Sequence, residues 1–492
     1  MTFISIAFVV FFISIVPAYY LCPSRFRWVL LLLASCYFYA AFVPKYIFIL
    51  FFIIIVDFFF ALWMERTRGV MKQGLFITSL VITIGVLFVF KYFNFFNDNI
   101  GALAHALGWN YSIGALSFIL PLGLSFHTFQ SLSYLIEVYR GKYPAERHLG
   151  IYALYVMFFP QLVAGPIERP SHLIPQFKKI ISFEKERIFS GLRLMMWGFF
   201  KKLVIADRLA LSVTYIYANL AQVGGPSILF VLVVFTFQLY ADFSGYSDIA
   251  RGSSRVLGID LVRNFDQPFF SRSIAEFWRR WHISLSSWFR DYLYYPLVCA
   301  TRRKSVTWIY MSIIITFLVM GLWHGAAWTY VIMGTLFGLY IVLGFITKPL
   351  REKMVRWSGL DRAPHLHVAL QVLITFLIVS FTFAFFRSPD VPTVLTLLKQ
   401  LCVGWHLSLE QFTEAYFIHP FSQLGMRRID LLLSFIFISI LLFVEKMEKD
   451  KHLGTFLKTK SLFLKTVLYS TVFLALLMFA SFATNAFIYF QF

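Results

Sequence analysis

The sequence predicts an all-α polytopic integral membrane protein, and three observations carry that prediction. The first is composition: 59% of the 492 residues are hydrophobic and only 14% are charged. A soluble chain of that length would need far more polar surface. The second is the recurrence of uncharged or nearly uncharged runs at 3–21, 28–42, 46–63, 73–90, 366–386 and 466–492. A helix needs about 20 mostly apolar residues to cross the hydrocarbon. Helix is also the form that satisfies its own backbone in lipid, so roughly ten to thirteen membrane-embedded helices are expected. The third is charge placement. The net charge of +20 sits mostly in short segments between apolar runs, where cytoplasmic loops carry Lys and Arg. That arrangement makes anionic lipid the expected partner and excludes nucleic acid.

Orientation follows from the same residues. No Lys or Arg precedes Arg25, so residues 3–21 lack the basic leader of a cleaved signal peptide and are expected to be a retained first helix. With the N-terminus outside, the first inner segment holds Arg25 and Arg27, the second Arg66, Arg68 and Lys72, and the third Arg140, Lys142 and Arg147. Residues 92–139 contain no Lys or Arg, as an outer loop with its flanking spans should.

One domain is expected over 1–492, in three stretches. Residues 1–120 and 346–492 read as mostly plain spans, and 121–345 interleaves polar, basic and aromatic residues within weakly apolar segments. Polar groups at membrane depth are costly, so function is sought in that middle stretch.

Two segments there stand out. At 100° per residue, Ile274, Phe277, Trp278, Trp281, Leu285 and Trp288 share one face of a helix over 273–291. Glu276, Arg279, Arg280, Arg290 and Asp291 project elsewhere, with His282 at the border. The pattern reads as a helix lying along the membrane surface or lining an inner vestibule. Residues 305–347 contain no Asp, Glu, Lys or Arg, too long for one crossing and right for two. Arg302, Arg303 and Lys304 precede the segment and Lys348 and Arg351 follow it, so a hairpin or re-entrant pair with both ends inside is expected. His324 lies near its middle, among Gly321, Gly325 and Ala326.

The chain lacks a His-Glu-x-x-His metal motif, a phosphate-binding Gly-Lys-Ser/Thr loop and a Gly-x-Ser-x-Gly elbow. Cys22, Cys36, Cys299 and Cys402 have no paired spacing, and His365 and His367 have no acidic or Cys neighbour. No metal is expected. His324 is the sharpest candidate for chemistry, because an imidazole kept neutral by apolar surroundings can accept a proton near pH 7. The alternative is a histidine that bonds a helix carbonyl and packs on Trp323 or Trp328. On the residue alone both readings stay open.

Four blocks carry a resemblance. They are Phe159-Pro160-Gln161-Leu162-Val163-Ala164-Gly165-Pro166-Ile167, then Gln238 to Asp248, then Phe277-Trp278-Arg279-Arg280-Trp281-His282, then Gly321-Leu322-Trp323-His324-Gly325. In this order they resemble the membrane-bound O-acyltransferase family, in the bacterial branch that includes the alginate O-acetylation membrane subunit. The chain departs from the family pattern at His127, where a tyrosine is expected. The resemblance implies a helical bundle with interfacial and re-entrant helices around a central tunnel, in a bacterial inner membrane. It also implies that His324 is the catalytic base and His282 a supporting residue. A hydroxyl is too weak an acid to attack a thioester unaided, so a base within reach is required. Packing at the edge of the tryptophan face is the competing role for His282.

The terminal Phe487-Ile488-Tyr489-Phe490-Gln491-Phe492 is similar to an aromatic motif in the export branch of the family. That similarity makes Tyr489 a candidate acyl relay, against the alternative of an aromatic-belt residue. Segment 251–304 carries ten Lys and Arg. Arg279, Arg280 and Arg290 are its candidate donor-binding residues, for the phosphates of coenzyme A or an acidic carrier. A lipid-surface anchor is the other reading. Asp242, Ser244, Asp248 and Asn264 are expected to form buried hydrogen bonds that hold the core.

The expected activity is acyl transfer, of an acetyl group by the resemblance. The donor would be a cytoplasmic thioester, acetyl-CoA or an acyl carrier, used as substrate with no bound cofactor. The acceptor would be hydroxyls of an extracytoplasmic polysaccharide, reached directly or through a separate extracytoplasmic acyltransferase. Two alternatives are an intramembrane enzyme acting on a lipid or protein hydroxyl, and a transporter without chemistry. A transporter would carry solute without turning over an acyl donor.

Overall fold

The computed structural model describes the chain except residues 43, 119, 301–304, 406–427, 450–460, 481–486 and 489–492. Among the described residues every regular element is helical. Among these residues six helical stretches are long and apolar enough to cross a membrane: Pro44–Arg66, Gly69–Ala106, Gly225–Val256, Val306–His324, Trp328–Ile346 and Pro364–Arg387. Large apolar side chains point outward along such helices, among them Ile77 and Val81 and, further on, Leu373 and Ile374. Water would penalise that surface and lipid does not, so the protein is an integral membrane protein. Packing divides the chain into two units. One comprises Met1–Met195, Ser247–Arg263 and Ser287–Pro296, and the other Met196–Tyr246, Asn264–Ser286 and Leu297–Phe492. The stretch 121–345 contributes to both.

In the first unit, α1 (Ile6–Leu21), α2 (Arg27–Ala40), α3 (Ile47–Arg66) and α4 (Gly69–Leu87) follow the expected spans closely. A π-wound stretch, Phe88–Tyr92, joins α4 to α5 (Phe93–Ala106). Inside this unit α3 and α4 are tied by Thr83, whose Oγ1 donates to the fully buried Asp57 at 2.8 Å. Next come α6 (Leu124–Tyr139), α7 (Leu149–Met157), α8 (Pro170–Phe177) and α9 (Lys185–Phe199). Gly123 opens α6 with φ +75°, and a Cβ there would lie 2.8 Å from the Leu162 carbonyl oxygen. That backbone contact seats the block from Phe159 to Ile167 as a buried loop. Two of its polar groups find partners, with Ser35 Oγ accepting from the Phe159 amide at 3.0 Å and the Gln161 side-chain amide donating to the Tyr155 carbonyl at 2.9 Å. Buried backbone groups outside helices need such partners.

Just after that loop, the buried carboxylate of Glu168 accepts from the Val262 amide at 2.6 Å and lies 2.6 Å from His172 Nδ1. This hydrogen bond raises the His172 pKa above the ordinary imidazole value. A raised folded pKa adds stability that is complete below the unfolded value, about 6.5, and is lost as pH rises through the folded one. The thermal midpoint of the wild type should therefore exceed that of His172→Gln most clearly below about pH 6 and converge with it under alkaline conditions. A gap that stays constant with pH would show that the imidazole does not titrate against Glu168.

The second unit is built from α10 (Asp207–Ala218), most of α11 (Gly225–Val256), α12 (Ile274–Arg280), most of α13 (Ile283–Phe289) and the helices that follow. After α14 (Tyr295–Cys299), the uncharged segment forms the expected hairpin: α15 (Val306–His324) and α16 (Trp328–Ile346), joined by three residues. Their approach depends on glycine. A Cβ on Gly321 would lie 2.3 Å from the Tyr330 carbonyl oxygen, and one on Gly334 would lie 2.2 Å from that of Phe317. Small residues let membrane helices pack backbone to backbone, where lipid supplies no hydrophobic drive between them. Gly321→Ala should therefore destabilise the protein by about 1–3 kcal/mol through overpacking. Gly344→Ala, which meets nothing within 4 Å, should leave the melting midpoint in detergent nearly unchanged.

The unit is completed by α17 (Lys348–Trp357), α18 (Pro364–Arg387), α19 (Val391–Leu401), α20 (Arg428–Lys449) and α21 (Leu462–Phe479). The structure corrects two expectations. The span expected over 466–492 stops at Phe479, with Ala480 extended as its cap. Phe487 and Ile488 are instead buried inside the unit. The single helix expected over 273–291 is broken: α12 ends at Arg280, His282 takes φ +45°, and α13 starts at Ile283. Its tryptophans, for which the pattern allowed lipid or core, lie in the core, since Trp278, Trp281 and Trp288 are all buried.

Candidate active site

The break between α12 and α13 is held by Asn264. Its carbonyl accepts the Ile283 amide at 2.8 Å and its side-chain Oδ1 accepts the Ser284 amide at 3.2 Å. Two orphan donors at the start of α13 are thereby met by one residue. Asp266 adds a bond from its amide to the Arg280 carbonyl at 2.9 Å. Between these ties His282 adopts the left-handed backbone that non-glycine residues rarely take. Such a conformation costs on the order of 1–3 kcal/mol and persists only where its surroundings over-determine it.

The turn carries the His282 ring into the core, where it is fully buried. Phe243 of α11 meets it edge-on at 4.6 Å between centroids, and Trp323 of α15 lies 6.2 Å away. Trp323 is followed by His324, the last residue of α15, which is 6% exposed. The His324 ring packs against Trp323 at 4.9 Å and against Phe386 of α18 at 5.6 Å. The two histidines, 42 positions apart in sequence (324 minus 282), thus share a tryptophan between them in one unit. Burial holds the His282 pKa well below the ordinary imidazole range, and any charge on His324 would push it further down.

Phe386 also lines a cavity of about 330 Å³. Its lining includes Tyr330, Arg387 and Ser388 as well as Lys202, Asp207, Asp242 and Ile488. Lys202 is 1% exposed and binds two carboxylates, Asp242 Oδ1 at 2.6 Å and Asp207 Oδ1 at 2.8 Å. It belongs to a π-wound stretch, Phe200–Ala206, that continues α9. Gly245 of α11 brings the two backbones together, for a Cβ there would lie 2.8 Å from the Gly198 carbonyl oxygen. π-Turns within helices often mark functional positions. Sequence reasoning passed over Lys202 and Asp207, although two lysines inside the apolar stretch from Leu194 to Ala206 were a visible signal.

The other residues singled out fall in different places. Arg279 is exposed on α12, while Arg280 pairs with Glu276 at 2.6 Å. Arg290 belongs to the first unit and pairs with its neighbour Asp291 at 2.9 Å. His127 is buried in the first unit, edge-on to Tyr39 at 6.0 Å. Tyr489 lies outside the described residues. Asp242 and Asn264 make the buried bonds expected of them, and Asp248 pairs with Arg251 at 3.6 Å. The buried Ser244 hydroxyl has no side-chain partner among the described residues.

A polytopic helical membrane protein with two buried histidines on a helix hairpin and a broken helix defines a narrow class. The model of the membrane-bound O-acyltransferase family matches residues 147–387, which include both histidines. The chain is 37% identical over 396 residues to the "Probable alginate O-acetylase AlgI" of Pseudomonas aeruginosa, covering 80% of this chain and 73% of that protein. It is 33% identical over 398 residues to a peptidoglycan O-acetyltransferase of Helicobacter pylori, covering 75% and 72%. It is 31% identical over 278 residues to a teichoic acid D-alanyltransferase of Bacillus subtilis, covering 54% and 68%. The chain belongs to the membrane-bound O-acyltransferase family, and it is an acyltransferase.

Proposed function

We propose that this protein takes a small acyl group, acetyl by its relatives' names, from a cytoplasmic thioester and passes it outward to hydroxyls of a polysaccharide. The reading is carried by one observation: His282 and His324 stand in one buried cluster, and Phe386, which packs on His324, also lines a cavity with polar residues in its wall. An alginate O-acetylase and a peptidoglycan O-acetyltransferase among the relatives support acetyl as the group and a glycan as the acceptor. The basic residues from Arg302 to Lys304 that precede α15 support an orientation with the His324 end of that helix toward the outer face. The membrane is then a bacterial inner membrane, with coenzyme A or an acyl carrier delivering the group from inside.

His324 takes the proton of the attacking hydroxyl as its oxygen adds to the thioester carbonyl. The tetrahedral intermediate collapses with breakage of the carbon–sulfur bond, and the thiolate leaves with the proton that the imidazole gives back. His282, kept neutral by burial, orients its neighbour or donates a hydrogen bond to the developing oxyanion. Arg279 and Arg280 of α12 are the residues assigned to the donor's phosphates. Tyr489 is the candidate acyl carrier on the way to an extracytoplasmic partner.

The test is reconstitution in lipid vesicles with acetyl-labelled coenzyme A on the inner side and a hydroxyl-rich glycan on the outer side. Label on the glycan, with free thiol released inside in equal amount, is the expected result. Thiol release without the acceptor's being labelled would point to a missing partner, and addition of a soluble acyltransferase should then restore labelling. Passage of label across the membrane with the thioester intact would overturn the reading in favour of transport.

A further inference from the structure

We infer that the Lys202–Asp242 pair is the seat of the terminal segment, holding Phe487 and Ile488 as a wall of the cavity. The two oxygens of the Asp242 carboxylate do different work. Oδ1 takes the Lys202 ammonium at 2.6 Å, and Oδ2 accepts the backbone amide of Ile488 at 2.8 Å. The same ammonium stands 4.5 Å from the centroid of the Phe487 ring, a cation–π contact that gains strength where water is excluded. Tyr246, one helical turn beyond Asp242 on α11, meets that ring edge-on at 4.9 Å. Phe487 is 1% exposed and Ile488 9%.

Each contact is specific to this segment. A buried lysine needs one or two acceptors, and Asp207 already supplies one at 2.8 Å. The second carboxylate leaves an oxygen to spare, and a main-chain donor from Ile488, 246 positions away, occupies it. Ile488 then lines the cavity together with Tyr330 and Phe386, and His324 packs on the latter. Lys202 and Asp242 are therefore positioning residues, which set where Phe487 and Ile488 stand at the cavity. Tyr489 follows Ile488 directly in sequence. The functional weight of the seat rests on the acyl-transfer reading, whereas its existence does not.

Asp242→Asn is the informative change. The asparagine has one acceptor oxygen where the carboxylate had two, and the Lys202 charge claims it. The amide NH2 then faces the Ile488 N–H, donor against donor. Hydrogen exchange read by mass spectrometry on the peptide containing Ile488 should quicken by about 10- to 100-fold. Protection across the α15–α16 hairpin should not change. Phe487→Ala leaves the ion pair intact and should quicken the same amide, which separates release of the segment from collapse of the unit. An Ile488 amide that exchanges equally fast in wild type and both variants would overturn the seat. The exchange measurement needs no substrate. A wild type that fails to transfer acyl groups but shows a protected Ile488 would thus sink the proposed function and leave the seat standing. If both hold, Phe487→Ala should also slow acyl transfer several-fold at saturating donor.

Discussion

Acyl transfer by the His324→Ala variant is expected to fall by about three orders of magnitude, the middle of what a positioned general base contributes. The loss should lie in kcat, with the apparent KM for the thioester little changed, because the imidazole acts on the attacking hydroxyl during bond formation and not on the bound donor. The side chain ends a helix and packs on Trp323 and Phe386, so removal of its ring leaves a cavity but no uncompensated charge. The melting midpoint should shift modestly. Vesicle assays on wild type and variant, normalised to folded protein, decide the matter: transfer within a factor of three of wild type would remove His324 from the reaction. His282→Ala should also lose activity, and more of its stability, because the left-handed turn at that position is shaped around a buried ring.

The largest stability effect is expected at Lys202. Lys202→Met keeps the length of the side chain and removes the charge, leaving Asp207 and Asp242 with no cation between them. Removing one partner from a buried ion pair costs about 3–5 kcal/mol, because the charge left behind has neither water nor partner. Here two carboxylates are left within reach of one former ammonium position, 2.8 and 2.6 Å from it. The variant should melt well below wild type in detergent. Adding Asp207→Asn and Asp242→Asn should recover much of the loss, since a neutral cluster of similar volume carries no desolvation penalty. Failure of the triple variant to recover any stability would mean that Lys202 acts through its packing and not through its charge.

Much of the fold was legible in the sequence because lipid imposes a simple rule. A segment that crosses it must be apolar, about 20 residues long and helical. The helices α1 to α4, the α15–α16 hairpin and α18 all followed from runs of uncharged residues and the basic residues that bracket them. The rule says nothing about segments that are apolar yet leave the helix. Residues 466–492 satisfy every compositional demand of a span, and still the helix ends at Phe479 while Phe487 and Ile488 turn into the core. Periodicity misjudged 273–291 for a related reason. The apolar face was real and is buried, but a tie from Asn264, which lies outside the periodic window, breaks the helix at His282.

The sequence by itself determined the solvent of this protein, the position of most of its spans and the two histidines that define its family. Those properties depend on local composition and on a few short blocks, which one chain displays without folding. Only the tertiary structure decided that the histidines meet across Trp323, that Lys202 has two carboxylates for company, and that Asp242 holds the Ile488 amide. Lys202 and Asp207 lie five positions apart in sequence, but Asp242 is 40 positions from Lys202 and 246 from Ile488. Their energies come from burial and charge neutralisation, which exist only once the helices have packed and excluded the surrounding medium.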